Sequence, residues 1–110
     1  MNEARDQIVT QLIRLYLLPS GAPCAELLEG IGLSFQTIAF AAMYDGVETT
    51  RAEMKILRGA ISACNAMIET DRWNPIQAPA LDVAFGASER LSATLSKKAV
   101  TRAIKKVFKE

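Results

Sequence analysis

Apolar residues recur at steps of three and four along most of this chain, the spacing of one face of an α-helix. No alternating β-branched run and no Asn-Gly hairpin turn interrupts that period. A first helix is predicted from about Glu3 to Leu18, with Asn2 as its N-cap and Ile8, Leu12, Leu15 and Tyr16 as its stripe, widened by Val9 and Ile13. Pro19-Ser20-Gly21-Ala22-Pro23 stops it, because proline cannot continue the hydrogen-bond ladder. A second helical region runs from about Pro23 to Tyr44 on Leu28, Ile31, Phe35, Ile38 and Ala42. Gly30 and Gly32 fall inside it and predict a break near Gly32, with Ser34 as a fresh N-cap; the alternative is close approach of a neighbouring backbone. Thr50-x-x-Glu53 fits a capping box opening a third helix, carried by Met54, Leu57, Ile61, Cys64 and Ile68 to an end near Thr70. After the loop Asp71–Pro75, a fourth helix starts around Pro79 on Leu81, Phe85, Ser88, Leu91 and Leu95. Either it continues past Ser96 as a long rod, or Ser96 caps a separate helix striped by Val100, Ala103, Ile104, Val107 and Phe108. The expected fold is all-α: a compact bundle of four to five helices with a long or kinked C-terminal helix.

Composition narrows the class. At 110 residues, half of them apolar and 23% charged, the chain has one core's worth of mass and is not a disordered tail. No charge-free run reaches the roughly 20 residues of a membrane span, and MNEARDQ does not read as a secretory signal. With only Cys24 and Cys64, a disulfide scaffold is not expected, and the reading is a cytoplasmic protein with reduced thiols. The chain has no histidine, which removes the usual general base near neutral pH and the commonest metal ligand. Gly30-x-Gly32 follows no strand and lacks the third glycine of a phosphate loop. The expectation is therefore a protein without catalytic residues, metal or cofactor.

From Gly30 to Tyr44 no residue carries a formal charge. Beside the core stripe, Leu33, Thr37, Phe40 and Tyr44 form a second one, and Phe35 and Phe40 point about 140° apart. A helix apolar on both sides must be covered on both sides. Since a short chain buries only about 60–65% of its unfolded surface, the second stripe predicts a protein interface, first of all a homodimer. The plainer alternative is enclosure by the other helices of the same chain. Trp73 is either a cap on one end of the core or a partner anchor beside Arg72.

Charge is distributed unevenly. Residues 1–96 hold seven basic and eleven acidic side chains, a net of −4; residues 97–110 hold six and one, a net of +5. The chain thus divides into a helical domain, 1–96, and a basic amphipathic extension, 97–110. Lys97, Lys98, Arg102, Lys105, Lys106 and Lys109 admit three readings: a solvated face, a phosphate-contacting element for nucleic acid, or an interfacial membrane helix.

The segments GLSFQTIAFAAMY and LRGAISACNAMI, with the chain's size and helical character, prompt a comparison. The chain loosely resembles, over its whole length and without a diagnostic motif, the small bacterial antiactivators that sequester quorum-sensing transcription factors. That resemblance implies binding to a transcription activator and loss of its dimerisation or DNA binding. The expected function is a small non-enzymatic regulator or adaptor that occludes a partner protein. The alternative is a nucleic-acid-associated protein using the basic C-terminal helix.

Overall fold

The computed structural model describes the backbone of residues 2–108 and the side chains of residues 5–108. Five α-helices follow one another: α1 (Asn2–Tyr16), α2 (Ala25–Tyr44), α3 (Ala52–Thr70), α4 (Ala78–Ser92) and α5 (Lys97–Phe108). A single 3-10 turn, Pro75–Gln77, leads into α4, and no strand occurs among the described residues. The all-α bundle expected from the apolar spacing is what the chain forms. Its Cα radius of gyration, 13.5 Å, matches the roughly 13 Å of one packed domain of this length. The expected N-cap Asn2 and the cation Lys109 lie outside the described side chains.

Helix α2 is the centre, touching α1, α3, α4 and α5. Its core face carries Leu28, Ile31 and Phe35, none of them measurably exposed. They meet Leu12 and Leu15 of α1, Met54, Leu57 and Cys64 of α3, and Leu81 and Leu91 of α4. By length and composition α2 would also suffice to cross a membrane, but that test is equally met by a core helix, and here four helices surround it. The widening of the α1 stripe by Ile13 does not hold: that residue is exposed.

Two expectations about helix ends are corrected. The glycines do not break α2, which runs unbroken from Ala25 to Tyr44. A Cβ on Gly30 would stand 2.9 Å from the Gln11 amide of α1, the far end of a flexible side chain, and one on Gly32 would make an ordinary 3.7 Å contact with Cβ of Cys64 on α3, so neither marks a close backbone approach. Ser34 does not cap; its hydroxyl donates to the Gly30 carbonyl one turn back. Nor does Thr50-x-x-Glu53 form a capping box. Helix α3 starts at Ala52 with Arg51 as its N-cap residue and no side-chain cap. The Thr50 hydroxyl donates to Glu48, while the Glu53 carboxylate takes its own backbone N–H and the Arg51 guanidinium.

The remaining ends are tied across the fold. Asp71 closes α3 in a left-handed conformation, φ 51°. Its Oδ1 accepts from the backbone N–H of Cys24 and Ala25, at 2.9 and 2.8 Å, supplying the N-terminal cap that α2 lacks locally. Those N–H groups hold the Asp71 carboxyl below its ordinary range. The loops on either side are paired through the backbone, Gly21 N–H to Trp73 O and Trp73 N–H to Ala22 O. Between them the Trp73 ring stacks on Tyr16, centroids 6.2 Å apart.

Candidate functional site

The second apolar stripe of α2 is covered from within the chain. Thr37 is buried, its hydroxyl donating to the Leu33 carbonyl at 2.8 Å, and Leu33, Phe40 and Tyr44 are half-buried. The cover is α5. Its small residues Ala99 and Ala103 pack against Ala41 and form a second, smaller core with Phe40, Tyr44, Leu95 and Val100. Alanines on both sides allow the two helices a close approach. Helix α5 thus covers part of the stripe on which the homodimer expectation rested, and Leu33, Phe40 and Tyr44 keep part of their surface exposed. Trp73 is 2% exposed, so it caps the core and does not stand out as an anchor.

Helix α5 is separate from α4, and Ser96 is its start. The Ser96 hydroxyl accepts the N–H of Ala99 and donates to Asp45, the residue that ends α2. Asp45 also accepts the Ser96 N–H at 2.6 Å. These two hydrogen bonds, the backbone one first, pull the Asp45 carboxyl below its ordinary value. One carboxylate thus ties the C-terminus of α2 to the N-terminus of α5 and places negative charge where the α5 dipole favours it.

The outward side of α5 is basic. Lys97, Lys98, Arg102, Lys105 and Lys106 are all exposed, and none forms an ion pair among the described residues. Lys97, Lys98, Thr101, Arg102 and Lys105 line one shallow depression along the helix. Arg102 and Lys106, one turn apart, lean back over α2: the Arg102 guanidinium sits 4.0 Å from the Tyr44 ring centroid and the Lys106 ammonium 6.0 Å from that of Phe40. The two rings stack on each other at 6.4 Å. The sequence reading had separated these residues into an apolar interface and a basic extension; the fold joins them into one surface. The spacing of Phe40 to Tyr44 and of Arg102 to Lys106, four residues each, was the available signal.

Elsewhere the chemistry is structural. Tyr16 donates to Asp82 at 2.7 Å, and burial, reinforced by that carboxylate, pushes its phenol far above the usual value. Both cysteines are free and buried; burial raises the Cys24 thiol and pushes Cys64 up to about 11. Among the described residues no three histidine, cysteine or acidic side chains converge as a metal site requires. No protein-family model, curated protein or solved structure matches the chain.

Proposed function

We propose that the protein is a non-enzymatic binding protein that lays α5 against the anionic backbone of a nucleic acid. The observation that carries this reading is the row of five exposed cations on α5 with no acidic partner among the described residues. The five cations fall within residues 97–106, roughly 15 Å of helix, or about one charge per 3 Å of its length. One strand of B-DNA carries a charge about every 3.4 Å. Lys97 and Lys98 add a second support. They occupy the first turn of α5, where the helix dipole disfavours cations, so their placement does not serve the stability of the helix. The acidic remainder of the chain would turn away from a polyanion and leave α5 facing it.

The test is fluorescence anisotropy with a labelled 20-base-pair duplex, titrated at about 50 and 200 mM salt. With three to five phosphate contacts, affinity should fall about 40- to 500-fold between those conditions. The triple substitution Lys98→Ala, Arg102→Ala and Lys105→Ala should abolish measurable binding. Affinity insensitive to salt, or unchanged by the triple substitution, would rule the reading out.

A second reading retains the occluding regulator expected from the antiactivator resemblance. It is supported by Ile13 in the last turn of α1 and Leu17 just past its end, one turn on, 55% and 79% exposed. Such paired exposure on one helix face is the form of an anchor for a protein groove. A protein partner captured in moderate salt and lost with Leu17→Asp, while the α5 triple variant still captures it, would favour this reading over the first.

A further inference from the structure

We infer that Phe40 and Tyr44 are a positioning shelf, holding Arg102 and Lys106 as a fixed pair of cations for the phosphodiester backbone of duplex nucleic acid. The inference rests on the nucleic-acid reading and specifies which form is bound and how part of the surface is ordered for it. The Arg102 guanidinium carbon stands 4.0 Å from the Tyr44 ring centroid, and the Lys106 ammonium 6.0 Å from that of Phe40. The rings are themselves fixed, stacked at 6.4 Å with 26° between their planes and half-buried against α5. Long cationic side chains normally lose rotamer freedom when they engage a phosphate, which weakens binding. Here the guanidinium and the ammonium are held by the quadrupoles of two rings before a ligand arrives. Four residues of helix separate them by about 6 Å along the axis.

The same geometry discriminates among polyanions. A single-strand binder stacks successive bases on open aromatic faces. Phe40 and Tyr44 are not open: each has a cation over it and the other ring beside it. The exposed aromatic near the cations is Phe108, one ring, 50% accessible. Contact is thus with phosphates, and a duplex offers one charge per about 1.7 Å, roughly twice the density of one strand. A membrane-surface helix inserts an apolar face; Ala99 and Ala103 of α5 are buried against α2, while Ile104 and Phe108 stay exposed, so vesicles are one arm of the test.

The experiment uses the full chain with three probes: a 20-base-pair duplex of arbitrary sequence, one of its strands, and vesicles of phosphatidylcholine with about one-third phosphatidylserine. Tighter binding of the duplex is expected; tighter binding of the strand or the vesicles overturns the inference. Tyr44→Leu, which removes the ring and keeps apolar volume, should weaken duplex binding about three- to tenfold. Tyr44→Phe, which keeps the ring, should restore it. The upfield ring-current shift of the Arg102 side-chain protons should vanish in the first variant and persist in the second. If Tyr44→Leu fails to fold, Arg102→Lys carries the test: the charge stays, the planar stack goes, and a similar weakening is expected. Native affinity in Tyr44→Leu or in Arg102→Lys sinks the shelf while leaving the nucleic-acid reading intact. Failure of the native chain to bind any nucleic acid sinks the reading itself.

Discussion

Gly59 stands on the exposed side of α3, and a Cβ built there meets nothing within 4 Å. Its φ is not positive, so the only consequence of its missing side chain is a more flexible unfolded chain and a weaker helix. Gly59→Ala should therefore raise stability by about 0.5–1 kcal/mol, read as a shift of the denaturant midpoint with an unchanged slope. Trp73 is the opposite case. It is the one tryptophan, it is buried against Tyr16, and its indole N–H meets no acceptor among the described residues. Trp73→Ala should cost about 3–5 kcal/mol, among the largest single losses available to this chain. Both outcomes depend on features that periodicity does not encode. A glycine inside a helical stripe reads the same whether it faces solvent, as Gly59 does, or a neighbouring helix, as Gly30 does. A tryptophan in a loop reads the same whether the loop is free or pinned, and the pinning here comes from backbone groups of Gly21 and Ala22 fifty residues away.

At the scale of the elements, what was legible is what local chemistry decides. The end of α3 at Thr70 was readable from its own neighbourhood, whereas periodicity left the start at Ser96 as one of two alternatives, and the Asp45 carboxylate that fixes it lies far off in the sequence. The break at Gly32 and the box at Thr50 were misread because tertiary contacts outweigh propensity. Packing of α2 against the four helices around it outweighs the roughly 1 kcal/mol that each glycine costs, and Glu53 is drawn off to Arg51 and Arg90. Two helix starts depend on distant carboxylates, α2 on Asp71 and α5 on Asp45. Both groups have folded pKa values below their ordinary 3.8. For a depressed carboxylate the stabilisation is complete above the unfolded pKa and is lost as pH falls through the folded one. The thermal midpoint should accordingly stay level from neutrality to about pH 5 and decline below about pH 4, as followed by circular dichroism. Replacing both residues, Asp45→Asn with Asp71→Asn, should lower the neutral-pH midpoint and flatten the acid limb. An acid limb as steep as that of the native chain would show that other carboxylates set it.

For the whole molecule, the surplus apolar surface of α2 finds part of its cover within the chain, the plainer of the two alternatives the sequence leaves open. The uncharged stretch from Gly30 to Tyr44, apolar on both sides, does need covering on both sides. The covering helix is the segment whose charge made it look like an appendage. Net charge describes the outward side of α5, whereas Ala99 and Ala103, too small to stand out in an apolar pattern, describe the inward one. A consequence for association follows. Removing residues 97–110 would bare Ala41 and the buried parts of Phe40 and Tyr44, and fully burying a large apolar side chain is worth about 1.5–3 kcal/mol. The shortened chain should have a lower thermal midpoint and should gain mass in light scattering as concentration rises, because α2 then presents a continuous apolar face to other copies. Tyr44→Asp in the full chain should act in the same direction, by loosening α5 rather than by abolishing a contact with a partner. The informative quantity is the difference in mass between the shortened and the full chain at equal concentration, since it isolates the face that α5 covers. Equal masses would mean that α5 is not what keeps that face from other molecules, and the shelf formed by Phe40 and Tyr44 would lose its fixed cations with it.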